Sequence, residues 1–241
     1  MKGRKYIVSI EDYKRSGDEY ADRWQTLDGC LYRLCRENPN HSSRPGVNAK
    51  AYIIGRTYQT GIERKIRSKG TQGSSMSQVA DLLYDRREIL DYLFARLAKV
   101  SEPLTGSNVC EILEIHGYIV ALLGEITING QSPRAFVAKY AHFHNSVVPI
   151  YDANAAEVVR SLVSQREIDG DQISVPDVAD PDYAGYVRRL LILYQFLTGH
   201  GVPVTVRSLD YYLVWEHDNR LTSGQPTAGK INEETPLISR S

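Results

Sequence analysis

The chain has 241 residues, with 29 Lys and Arg balancing 29 Asp and Glu, 42% apolar residues and 24% charged ones. That composition excludes intrinsic disorder and leaves enough length to bury a sizeable core. The longest apolar runs, 118–123 and 190–194, are far short of a membrane span, and the first ten residues lack the apolar stretch of a signal peptide. Three cysteines, Cys30, Cys35 and Cys110, have no CxxC spacing, which argues against a disulfide framework and a zinc site. The expectation is a soluble, cytoplasmic protein with no membrane partner.

Helical periodicity runs through almost the whole chain. Ser16-Gly-Asp-Glu19 has the form of a capping box and opens a helix to about Glu37, with Tyr20, Trp24, Leu27, Leu31 and Leu34 on one face. A polar loop, 38–46, precedes a helix from about 47 to 66, interrupted by Gly55 and Gly61. Two glycines inside a helix point to close packing or close ligand approach. Ser75 and Gln78 start a long helix to about 100, and Asn108 with Glu111 opens the next. Ser132-Pro133 reads as a cap plus first-turn proline for a helix to His144. Asp152 begins a helix to about 165, Asp180-Pro181 another over 182–198, and Thr205 a last one through Trp215. Only 6–10 and 147–150 resemble strands. The predicted fold class is all-α: a single globular bundle of about eight helices over residues 1–218, with a loose tail over 219–241.

The balanced charge hides a polarised distribution. Residues 44–69 carry seven cations, including Lys50, Arg56, Arg64 and Lys65, against the single acid Glu63. Residues 166–182 carry six acids against Arg166. Such a surface can attract a phosphate backbone on one face; two solvated loops of opposite sign would give the same count. Tyrosines number 16 against 4 phenylalanines, which suits stacking beside bases as well as the edge of any core.

No Walker loop, GxGxxG, HExxH, GxSxG or EF-hand loop is present. The densest segment is 132–154, where a helix bearing Arg134, Lys139, His142 and His144 leads into Val147-Val-Pro-Ile-Tyr151 and then Asp152. A carboxylate at a helix N-terminus is favoured in its ionised form, and there it can stabilise a developing cation or orient water. Most N-terminal aspartates, however, only cap their helix. Lys139 could act as an amine nucleophile, snorkel beside Tyr140, or pair with a carboxylate. Histidines two apart point to different sides of a helix, so His142 and His144 are poor metal ligands.

The order of these parts, a helix, a turn at Asn129-Gly130, helix 132–144, the extended Pro149-Ile-Tyr and then Asp152, resembles the helix-hairpin-helix DNA glycosylases over 107–165. The segment from Phe136 to Asp152 is also similar to uncharacterised bacterial proteins, some of them associated with phage-defence glycosylases that act on modified cytosines such as glucosylated hydroxymethylcytosine. The resemblance implies base flipping and hydrolysis of the N-glycosidic bond, leaving an abasic site, with DNA as partner, no cofactor and no metal. It casts Asp152 as the catalytic carboxylate and counts Lys139 among the catalytic residues, where it would also hold phosphates. The lysine of lyase members falls where this chain has Pro133-Arg134, so a monofunctional, monomeric enzyme is expected. Substrate contacts are assigned by residue type to Arg56, Tyr58, Glu63, His142, His144, Tyr151, Asn154 and Trp215. Backbone contacts are assigned to Lys50, Arg64, Lys65, Asn129, Gly130 and Arg134. The hairpin departs from the family's Leu-Pro-Gly-Val-Gly. Two other readings stand beside this one: a non-catalytic helical module that binds nucleic acid or protein, and a metal-dependent nuclease built on His142 and His144.

Overall fold

Eleven α-helices and one short 3-10 turn account for the regular structure among the described residues of the computed structural model, which are 8–66, 74–171 and 173–223. The helices are α1 (Ile10–Glu37), α2 (Arg44–Thr57), α3 (Ile62–Lys65), α4 (Ser75–Asp85), α5 (Arg87–Leu97) and α6 (Gly106–Gly124). After the 3-10 turn (Ile128–Gly130) come α7 (Arg134–His144), α8 (Ala153–Leu162), α9 (Gln165–Asp169), α10 (Pro181–Gly199) and α11 (Val206–Ser223). The only β pairing among the described residues is an isolated antiparallel bridge between Ile66 and Thr127.

Local chemistry explains most of the starts. The side chains of Ser9, Ser43, Ser74, Thr105, Asp152 and Asp180 each accept a backbone N–H in the first turn of the helix that follows. Each such cap is worth about 1 kcal/mol. Several caps lie a few residues from the expected ones. Ser16 is inside α1, where its hydroxyl donates back to Tyr13 O at 2.7 Å. Asn108 is not a cap but the partner of Thr105 in a capping box. The expected strand over 6–10 lies partly outside the described residues, and its last residue, Ile10, opens α1. Residues 147–150 begin in a turn, with Val148 N donating to Asn145 O at 3.0 Å, and form no strand. Within the expected tail, 219–223 continue α11, and 224–241 lie outside the described residues.

The count exceeds eight because three expected helices divide. The 47–66 helix breaks at Tyr58–Gly61, where Gln59 and Gly61 take positive φ (47° and 67°) and Thr60 Oγ1 turns back to donate to Gly55 O at 2.9 Å. Gly55 itself answers to packing, since a Cβ there would lie 2.7 Å from Met76 Cε. The 75–100 helix bends at Arg86, yet Arg86 N still donates to Leu82 O (2.9 Å) and Leu90 N to Arg86 O (3.1 Å). These bonds close α4 and open α5 on either side of Arg86 (φ −96°, ψ 17°), and no glycine or proline marks the place. The 152–165 helix stops at Val163, and Ser164 with Glu167 caps α9 separately.

Buried apolar side chains form one core that runs from Val8 to Trp215. Helix α7 lies at its centre, touching α1, α2 and α6, and every residue from Phe136 to Phe143 is buried. Truncating Phe136 to alanine would cost about 3–5 kcal/mol. Helix α11 packs on α1 and α8, so the first and last helices are neighbours. No helix among the described residues is long and apolar enough to cross a membrane.

Candidate active site

A cavity of about 360 Å3 opens where α1, α11, the α2–α3 break and the segment before α8 converge. Helix α1 contributes Tyr20 and Trp24 at a spacing of four, with Asp28 one turn further on. Helix α11 contributes Arg207, Asp210, Tyr211, Val214 and Asp218 from one face, at steps of three and four. Lys139 comes from α7, Asp152 and Asn154 from the head of α8, and Tyr58 and Gln59 from the α2–α3 break.

Asp152 does two jobs locally. Its Oδ1 accepts the Asn154 N–H at 2.9 Å as the cap of α8, and its Oδ2 lies 3.3 Å from Lys139 Nζ. The Lys139 ammonium also donates to Tyr58 O at 2.8 Å, which ties α7 to the α2–α3 break. Lys139 is 4% exposed, while the Asp152 side chain is 35% exposed, so the pair is covered on the lysine side and open on the carboxylate side. Trp24 and Tyr58 stack with ring centroids 5.7 Å apart and supply a flat aromatic wall.

Beneath this wall lies a charge network that binds α1 to α11. Asp28 accepts from Tyr58 Oη, from Tyr211 Oη at 2.7 Å, and from two nitrogens of Arg207 at 2.7 and 2.9 Å. The third Arg207 nitrogen donates to Asp210 Oδ2 at 2.5 Å. Two carboxylates hold the Arg207 guanidinium firmly charged despite its burial. Asp210 behaves differently. Burial pushes its carboxyl up to about 6, one arm of a shared arginine only partly opposes this, and the Asp152 charge adds to the rise.

The structure gathers four of the expected site residues in this cavity: Asp152, Lys139, Tyr58 and Asn154. Tyr151 lies edge-on to Tyr186 with centroids 5.4 Å apart, next to Asp152 but off the lining. Arg56 and Glu63 pair with each other at 2.9 Å and lie off the lining of this cavity. Trp215 is corrected as a base contact: it is buried, and its Nε1 donates to Glu19 at 2.6 Å. His142 is buried and His144 half-buried, and both lie off the lining of this cavity. His142 Nδ1 donates to Val148 O at 2.8 Å, and Nε2 accepts from Tyr32 Oη at 2.5 Å, so both ring nitrogens are engaged. His144 Nε2 accepts from Lys50 Nζ at 3.2 Å. Among the described residues no group of three or more His, Cys, Asp and Glu could hold a metal ion, which leaves a nuclease built on these histidines without a ligand set.

Of the expected backbone contacts, Lys50 is corrected, since it is fully buried. Arg134 is committed to Asp180 and Asp182, at 2.7 Å each. Arg64 is exposed, and Lys65 donates to Ser132 O at 2.8 Å, next to the exposed turn at Asn129 and Gly130. The Ile66–Thr127 bridge fixes the same neighbourhood, so α3 and the hairpin share one surface.

A larger hollow of about 890 Å3 lies elsewhere, lined by Cys35, Asp91, Phe94 and His144 among others. Two of its polar groups, Asp91 and His144, are held by buried residues behind the lining. His41 Nδ1 donates to Asp91 at 2.7 Å, Tyr140 Oη donates to His41 Nε2 at 3.0 Å, and Lys50 takes His144. Neither size nor an open carboxylate singles out one cavity, since Asp91 is 34% exposed and held by buried His41; the smaller cavity is the one that gathers Asp152, Lys139, Tyr58 and Asn154. Sequence reasoning missed Asp28, Arg207, Asp210 and Tyr211. The one available signal was the stripe of Arg207, Asp210, Tyr211, Val214 and Asp218, a polar face that begins on the last expected helix. No protein-family model matches this chain, and no curated protein or solved structure does either.

Proposed function

We propose that the protein is a DNA glycosylase, and that Asp152 is its catalytic carboxylate. The observation that carries this reading is the exposure of Asp152 to an aromatic-walled cavity while Lys139 braces it from behind at 3.3 Å. An aspartate that served only as a cap would have no need of a buried lysine or a cavity. The cavity volume of about 360 Å3 falls in the range of small-molecule sites, roughly 300–1,000 Å3. A flipped nucleotide would stack its base on Trp24 and Tyr58. The C1′–N bond then breaks, its electron pair leaving with the base, and the cationic sugar forms beside the Asp152 carboxylate. Water adds to C1′, and the proton it loses neutralises the departing base. Arg64, Lys65 and the Asn129-Gly130 turn form the surface that would meet the phosphates. The resemblance of 136–152 to phage-defence enzymes makes modified cytosines the first substrates to try.

The test is abasic-site formation on DNAs carrying uracil, oxidised, alkylated or glucosylated hydroxymethylated bases, with wild type beside Asp152→Asn, with and without EDTA. Release that disappears in the variant and ignores the chelator is the expected result. Binding without release from every DNA would leave a non-catalytic nucleic-acid module, and release unchanged in Asp152→Asn would remove Asp152 from the chemistry.

A further inference from the structure

Nearly every charged group at the cavity is matched. Arg207 donates from all three nitrogens, to Asp28 and Asp210. Lys139 donates to Tyr58 O and Asp152, and both Asp152 oxygens accept. Asp210 is the exception. Its Oδ2 accepts from Arg207, but its Oδ1 is buried with no hydrogen-bond partner. Asp210 is 6% exposed and belongs to the cavity lining. A buried carboxylate oxygen without a donor is rare in native proteins, and it concentrates at places kept for a ligand or a reaction.

We infer that Asp210 is the group by which the cavity selects its guest, its free Oδ1 accepting an N–H from the exocyclic amine of the base. The inference rests on the glycosylase reading for the kind of guest and adds the class: amine-bearing bases of the cytosine and adenine type, in preference to bases with a carbonyl at that place. The chemistry is one of complementarity. An acceptor needs a donor, and a carbonyl oxygen facing Oδ1 would place two acceptors together. Sites built to hydrogen-bond a substrate N–H reject analogues that lack it far more strongly than apolar pockets do.

Asp210 also has a built-in polarity. Arg207 fixes Oδ2 as the acceptor of its own N–H, so an asparagine here must keep its carbonyl on Arg207 and point its NH2 where Oδ1 was. Asp210→Asn therefore turns the reading atom from acceptor to donor without changing its shape. Protonation does the same to Asp210 itself. The groups that face it are Arg207 on α11, Asp28 from α1, Lys139 from α7, Asp152 at the head of α8 and Tyr186 from α10.

The experiment titrates the full chain with the free bases cytosine, uracil and 2-pyrimidinone, which lacks the amine, by ligand-observed NMR at pH 7.5. Wild type is expected to hold cytosine at least tenfold more tightly than either analogue. Asp210→Asn is expected to reverse the order in favour of uracil. Wild type alone offers a measurement that needs no variant: its preference for cytosine should decline between pH 7.5 and pH 5.5, as Asp210 takes up its proton near 6. Equal affinity for the three bases, the same order in both proteins, or no base bound at all would overturn the assignment. Base release from DNA that depends on Asp152 without the reversal would sink the role of Asp210 and leave the glycosylase standing. The reversal with no release from any DNA would do the opposite.

Discussion

Two buried lysines, Lys139 and Lys50, show what separates a working charge from a structural one. Both ammonium groups lie out of water. Lys139, on α7, meets a carboxylate whose other side opens to a cavity. Lys50, on α2, donates instead to the carbonyls of Asn38 and Asn40 and to His144. Those carbonyls stand at and just beyond the C-terminal end of α1, where the helix dipole is negative and a cation is welcome. Burial still pushes the Lys50 amine down to about 8. Both lysines are expensive to bury, but only one of them holds a carboxylate at a cavity. Burial shows that a charge is held in place; the partner shows what it is held for.

Replacing each lysine by methionine is the sharpest way to break this comparison. Lys139→Met should lower base release by about 100-fold or more, because it removes the brace of the carboxylate proposed to be catalytic. Lys50→Met should leave activity per folded molecule unchanged and cost about 2–4 kcal/mol of stability by orphaning buried carbonyls. Urea melts and single-turnover release on the same samples separate the two. Equal losses of activity from both would end the distinction.

A smaller effect is expected at Asp210. Its folded-state value near 6 stands above the ordinary carboxylate value of about 3.9, so the native chain binds that proton more tightly than the unfolded chain. The stability this confers is complete below about pH 4 and is lost as pH rises through 6. An amide escapes that loss. Asp210→Asn should therefore be more stable than wild type by about 1–2 kcal/mol at pH 7.5 and no different at pH 4, as read by thermal melts across pH. A variant less stable at pH 7.5 would show that Asp210 is held for the fold. The smallest effect belongs to the outer surface. Arg64→Gln should reduce the slope of log affinity against log salt for DNA by about one, and an unchanged slope would move the phosphate contacts elsewhere.

How much of this was legible follows the distance over which each feature is encoded. The helix 132–144, the extended turn and Asp152 are written within some twenty consecutive residues, as a proline, a periodicity and a cap. Lys139 and Asp152 are thirteen positions apart and were named together. The other wall was not legible, because Asp28 and Arg207 are 179 positions apart and meet only through the packing of α1 on α11. A charge count also misled at Lys50, since it takes every lysine for a solvated one, and here the end of α1 covers it. The break at Arg86 left no mark because neither glycine nor proline stands there.

The Asp28–Arg207 link has a consequence for how the molecule is made. A chain on the ribosome grows at about 5–20 residues per second, so Arg207 follows Asp28 by roughly 10–40 s. During that interval Asp28 has no counter-ion and α8 lacks the helix that covers it. The nascent chain can assemble α7 and its neighbours, but it carries an open trough where the finished protein has a cavity. The cavity of this fold is thus completed at one late event, the docking of α11, and not by degrees along synthesis.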